Sequence, residues 1–246
     1  MPQKTDALIY ENNYKIAHAL EACSGHLGLD FDRYTLRPYN QFKPSNTTWW
    51  LVPSTEWPAY RFGKFFVRRH GDDRAPMIGY YVEHGLTPQL RGLPGLRPKF
   101  IMDHRWYWHD FMDQMKDGSL DDPYRQTHSR AGLPVVVRLE SFAFNRVPDY
   151  DHPEENVPDD VLEFGLDRLN PTLRMMCSAD AVLSPMRDCD SFSELARRLT
   201  SLNDLEYYWI DLYIGVRLDY GTPETGSWDA AQTWNRILEP WKAFVR

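Results

Sequence analysis

The sequence predicts an α+β fold: an antiparallel or mixed β-sheet flanked by helices, in a single domain over residues 1–246. Three observations predict it. Strand-like runs crowd into residues 47–83 and return at 133–144 and 207–218. Helix-period apolar stripes fill the intervals between them. The two kinds of segment do not alternate regularly, which argues against a doubly wound parallel sheet. A loop-plus-helix stretch over residues 85–132 is a candidate insert.

The first helix is expected over Asp6 to Leu27, where Ile9, Ile16, Leu20, Cys23 and Leu27 recur at helical spacing and Thr5 or Asp6 supplies a cap. A polar stretch with Pro38 and Pro44 follows. Thr47–Val52, Ala59–Arg69 and Met77–Glu83 then read as an antiparallel meander, with His70-Gly71-Asp72-Asp73 as a turn. Five Pro and Gly residues make Leu86–Lys99 an exposed loop carrying Arg91 and Arg97. From His104, the stripe Trp108, Phe111, Met112 and Met115 predicts a helix that stops at Asp117-Gly118.

Leu133–Phe144 is a β-prone run that ends at the acidic, Pro-rich loop Pro148–Pro158. Pro158-Asp159-Asp160 is expected to open a helix that closes at Asn170-Pro171. Ser191-Phe192-Ser193-Glu194 is a capping-box pattern ahead of Leu195, Leu199 and Leu202. Tyr207–Leu218 is the last strand. A final helix from Ser227 aligns Trp234, Leu238, Trp241 and Val245, with a bend at Pro240.

With 42% hydrophobic and 26% charged residues, the composition fits a soluble globule and neither a disordered nor a fibrous chain. No apolar run approaches the roughly 20 residues of a membrane span, and Glu11, Asn12 and Asn13 interrupt any signal-peptide core. The expected compartment is the cytoplasm, with no membrane partner. Cys23, Cys177 and Cys189 are too few and too widely spaced for a disulfide framework or a four-cysteine zinc cage, and read as structural thiols. No cofactor or metal motif is present.

The net charge of −7 conceals a division. Between Arg61 and Arg105, nine basic residues face four acidic ones, whereas Glu140 to Asp211 holds six basic against sixteen acidic. A chain so divided can present a local anion-binding face while repelling nucleic acid elsewhere. Alternation along the Ala59–Arg69 strand puts Tyr60, Phe62, Lys64, Phe66 and Arg68 on one face, mixing rings with cations as a base-stacking surface requires. A half-buried strand with core rings and rim cations is the plainer reading of the same residues. Gly92-Leu93-Pro94-Gly95 has GxxG spacing, but Pro94 removes one of the amides such a loop would offer to phosphate.

The leading functional expectation is therefore a non-catalytic module that binds an anionic partner, nucleic acid first, through residues 60–105. Tyr60, Lys64, Phe66, Arg68, Arg69, Tyr80, Arg91, Arg97 and Trp106 are its candidate ligand-binding residues. The competing expectation is a metal-dependent or acid/base hydrolase of nuclease-like type. His109 and Asp113, one helical turn apart, and the strand carboxylates Glu83 and Glu140 are its candidate catalytic groups. No strand carries an ExK pattern. A third expectation is assembly with a protein partner through Trp49, Trp50, Trp57 and Trp228.

Overall fold

β-branched and aromatic residues dominate the segments that become strands, and their alternation sends one set of side chains to each side of the sheet. The computed structural model describes residues 34–38, 48–53, 63–68, 76–83, 105–143, 158–166, 177–202, 208–218 and 229–244. The expected helix over Asp6–Leu27 and the loop Leu86–Lys99 lie outside these residues.

The strands are β1 (Tyr34–Pro38), β2 (Thr48–Pro53), β3 (Lys64–Arg68), β4 (Met77–Glu83), β5 (Val135–Ala143), β6 (Asp160–Phe164) and β7 (Tyr208–Arg217). They form one sheet in the order β1-β2-β3-β4-β7-β5-β6, and each neighbouring pair is antiparallel. The fold is α+β, as expected, and the sheet is antiparallel rather than mixed. The meander over β2, β3 and β4 is present, and β1 adds a further strand to its edge from the segment read as merely polar and Pro-punctuated. The last strand inserts between β4 and β5, so β7 is central and buried on both faces.

Helices α1 (Arg105–Asp117), α2 (Asp121–Ala131) and α3 (Phe192–Ser201) and a C-terminal helical segment cover one face. Trp108, Phe111, Met112 and Met115 form the buried stripe of α1, and Gly118 follows with φ +84°, a left-handed conformation that suits glycine. Phe192, Leu195, Ala196 and Leu199 form that of α3, whose Ser191 side chain accepts a hydrogen bond from the Glu194 amide at 3.2 Å. These residues share one core with Phe65, Ile78, Tyr80, Val82, Val137, Leu139, Leu212 and Ile214 from the sheet. Full burial of each such side chain contributes about 1.5–3 kcal/mol.

Two local expectations are corrected. Residues 160–164 form β6, not a helix: Asp160, Leu162 and Phe164 are buried, and pairing with β5 overrides the helix-start pattern at Pro158. The C-terminal segment is not one bent α-helix but passes from an α turn (Ala230–Thr233) through a π turn (Trp234–Leu238) to a 3-10 stretch (Glu239–Phe244). Pro240 has no N–H to continue a regular ladder, and the changes of pitch keep Trp234, Ile237, Leu238 and Trp241 buried. Among the described residues, no helix is long and apolar enough to cross a membrane.

Candidate functional site

The opposite face of the sheet carries a different chemistry. Period two places Lys64, Phe66 and Arg68 of β3 on it, with Met77, Gly79, Tyr81 and Glu83 of β4. β7 adds Trp209, Asp211, Tyr213, Gly215 and Arg217, β5 adds Val136, Arg138, Glu140 and Phe142, and β6 adds Glu163. Phe66, Met77, Tyr81, Val136 and Tyr213 form a small apolar cluster here, separate from the helix-covered core. Lys64, Glu83, Arg138, Glu140, Glu163 and Asp211 are all buried among them.

Register orders these groups into levels. Glu83 is directly opposite Asp211, and Asp211 is directly opposite Glu140, so three carboxylates cross β4, β7 and β5 in one row. Strand spacing puts the outer two about 10 Å apart at the backbone. The next row runs Lys64, Tyr81, Tyr213, Arg138, Glu163. Gly79 and Gly215 face each other one level further on, and a Cβ on either would collide with the facing strand's backbone. Glycine is required there by close approach.

The two ends of the network are balanced differently. Arg138 donates to Glu140 Oε1 at 2.8 Å and to Glu163 Oε2 at 3.2 Å, while Arg217 donates to Glu163 Oε1 at 2.8 Å. Arg68 donates to Glu140 Oε2 at 3.1 Å and to the Tyr213 hydroxyl. Glu140 and Glu163 are thus each clasped by two guanidinium groups, whose charge-assisted hydrogen bonds offset the cost of burying a carboxylate.

Among the described residues, Asp211 has no such clasp. Its Oδ1 accepts from Trp209 Nε1 at 2.7 Å and from the Tyr81 hydroxyl at 2.8 Å, and its Oδ2 accepts from Tyr213 at 3.3 Å. Burial, and then the neighbouring Glu83 and Glu140 charges, push its carboxyl up to about 7. Burial likewise lowers the Lys64 ammonium, opposed by Glu83 and Asp211, and its Nζ lies 4.9 Å from the Tyr81 ring centroid. Burial raises Tyr213 well above the usual phenol range, opposed by Arg68.

Glu83 and Glu140, expected from the sequence as hydrolase candidates, come together with Lys64, Phe66 and Arg68, expected as ligand-binding residues. Lys64 of β3 is close enough for Glu83 and Asp211 to act on its charge from other strands, which no within-strand ExK pattern could reveal. His109 and Asp113 do not join them. Both are exposed on α1, which covers the other face, and Asp113 instead accepts from Lys116 at 3.4 Å. Tyr80 is also displaced from its expected place: alternation turns it into the helix-covered core, where it stacks on Trp241 at 5.6 Å and donates to the Phe244 carbonyl at 2.7 Å. Tyr60, Arg69, Arg91 and Arg97 lie outside the described residues, as do Trp57, Trp228 and the side chains of Trp49, Trp50 and Trp106.

Sequence reasoning missed Asp211, Arg138, Glu163, Arg217 and the ring pair Tyr81 and Tyr213. A signal was available in Tyr208–Arg217, where Ile210, Leu212, Ile214 and Val216 alternate with Trp209, Asp211, Tyr213 and Arg217. Cys177 and Cys189 are free and buried, and burial pushes the Cys189 thiol up to about 11. A separate groove on the helical side, lined by Tyr124, His128, Leu166 and Phe192 among others, holds none of the carboxylates in the row. Among the described residues, no three His, Cys, Asp or Glu side chains are grouped so that they could hold a metal ion. No family model matches the chain, and neither does any curated protein or solved structure.

Proposed function

We infer that the polar face of the sheet is the functional site and that it performs acid–base chemistry, the hydrolysis of a substrate bound against β4, β7 and β5. The observation that carries this reading is the row Glu83, Asp211, Glu140 on three adjacent strands. Like charges directly opposite one another destabilise a sheet, and carboxylates whose surroundings push them apart in proton affinity serve as acid and base. Asp211, which retains its proton close to neutrality, is the acid. Glu140, clasped by Arg68 and Arg138, is the charged partner that steadies developing positive charge.

The test is turnover of a panel of chromogenic glycosides, phosphodiesters, esters and peptides by the full chain, compared with the Asp211→Asn and Glu140→Gln variants. Turnover that falls on the order of 10²–10⁴-fold in Asp211→Asn supports the reading. Turnover unchanged in both variants, or absent throughout the panel, overturns it.

A second reading, recognition of an anionic partner with nucleic acid first, has one observation in its favour. Arg68 and Arg217 stand at the same level on either side of Met77, with 21% and 19% of their side chains open. It calls for binding to single- or double-stranded DNA or RNA that weakens steeply with salt. A low-salt fluorescence titration without binding removes it.

A further inference from the structure

Glu83 and Asp211 face each other on β4 and β7, and the Tyr81 hydroxyl stands between them, 2.7 Å from Glu83 Oε2 and 2.8 Å from Asp211 Oδ1. A phenol has one proton and can donate it to only one of those oxygens. If both carboxyl groups were ionised, the second contact would set the phenol's lone pairs against a carboxylate oxygen at hydrogen-bond distance. All three residues are buried, so water does not dilute that repulsion. One added proton removes the conflict: the protonated carboxyl donates to the phenol oxygen, and the phenol donates to the other carboxylate. Either carboxyl can carry that proton, and both contacts are then hydrogen bonds.

We propose that Glu83, Tyr81 and Asp211 form one proton-sharing unit, with Tyr81 as the positioning residue and a single proton held by the carboxyl pair at neutral pH. The surrounding charges agree. Lys64 and Arg68 approach from β3, Arg138 and Glu140 from β5, and Tyr213 and Trp209 lie beside Asp211 on β7. Among the described residues, Arg68 and Arg138 pair with Glu140, and Lys64 is a cation that acts on both Glu83 and Asp211.

The unit rests on the hydrolytic reading above and deepens it, because a carboxylic acid and a carboxylate are available side by side. The protonated carboxyl gives its proton to the leaving atom as the scissile bond breaks. The ionised partner takes a proton from the attacking water as the new bond forms, which returns the unit to one proton. No other reactant is needed.

The experiment is infrared difference spectroscopy of the protonated-carboxyl stretch, on the full chain without substrate, from about pH 4 to pH 9. The expected result is one buried carboxyl that loses its proton near neutrality and is missing in Asp211→Asn. Tyr81→Phe discriminates by sign. A bridging phenol makes one more hydrogen bond in the singly protonated state than in the doubly ionised one, so its removal lowers the midpoint by about one pH unit. A phenol that only donates to Asp211 stabilises the anion, and its removal raises the midpoint. A raised or unchanged midpoint in Tyr81→Phe, or no carboxyl titrating near neutrality, overturns the proposal. If Tyr81→Phe does not fold, Glu83→Gln decides: a midpoint lowered by about one unit or more supports the shared proton, and an unchanged one refutes it. Because no substrate is present, these outcomes are independent of whether the hydrolysis panel succeeds.

Discussion

Replacing Asp211 with Asn removes a titrating group from the centre of the sheet while preserving its shape and its hydrogen-bond acceptor. The amide oxygen can still accept from Trp209 and Tyr81, and the amide nitrogen can donate to Tyr213, in place of the contacts that Asp211 makes now. The carboxyl is pushed up from 3.8 to about 7 in the folded chain, chiefly by burial. A group whose affinity for protons is higher in the folded state stabilises the fold fully below its unfolded value. That contribution is lost as pH rises through the folded value. The gap of about three pH units corresponds to about 4 kcal/mol lost between about pH 4 and pH 8. Asparagine, neutral throughout, escapes this loss. Urea unfolding, followed by the tryptophan fluorescence of wild type and Asp211→Asn at a series of pH values, is the direct assay. The difference should be small near pH 4 and grow in favour of the variant to about 4 kcal/mol by pH 8, with a slope approaching one proton. A variant less stable than wild type at pH 8, or a difference that does not change with pH, would refute the placement of a raised, buried Asp211 at the heart of the site.

Three further perturbations test the frame around it. Gly79→Ala should destabilise the fold by about 1–3 kcal/mol or abolish it, because the new methyl group meets the backbone of β7 at Ile214; chemical denaturation gives the value. Glu163→Ala leaves Arg138 and Arg217 without the carboxylate they share, and a loss of about 3–5 kcal/mol is expected in the same measurement, well above that of an exposed pair such as Arg125 with Asp121. Ser191→Ala removes the cap of α3 and should cost about 1 kcal/mol, read as a lower midpoint in a thermal melt, with the polar face undisturbed.

The elements legible in the sequence are those whose local signals agree with their place in the fold. Met77–Glu83 carries strand-forming residues and is a strand at the expected bounds, and the stripe from Trp108 to Met115 is the buried side of α1. Ser191 and Glu194 lie one turn apart, so their cap depends on nothing distant. Asp160–Phe164 misleads because Pro158 and two aspartates imitate a helix start, and only pairing with β5 reveals the strand. The site was legible in pieces. Glu83, Glu140, Lys64 and Arg68 each stood out, but their convergence depends on β7 entering between β4 and β5 from the far end of the chain. No local spacing encodes that insertion, and without it Asp211 reads as one acid among sixteen in an acidic stretch.

The arrangement of signs on the polar face separates two roles that buried charges can have. Charges confined to one face fix register, since a one-residue slip of β7 would drive Asp211, Tyr213 and Arg217 into the helix-covered core and turn Leu212 and Ile214 out of it. For that purpose, opposite signs suffice, and Arg138, Arg217, Glu140 and Glu163 supply them in hydrogen-bonded pairs. Glu83 and Asp211 add nothing to register that a neutral pair such as Thr or Gln would not. They are like charges set directly opposite each other on neighbouring strands, and burial together with that opposition pushes the Asp211 carboxyl up to about 7. A costly arrangement of this kind, in an otherwise consistent sheet, is what the proposed acid–base function accounts for and folding alone does not.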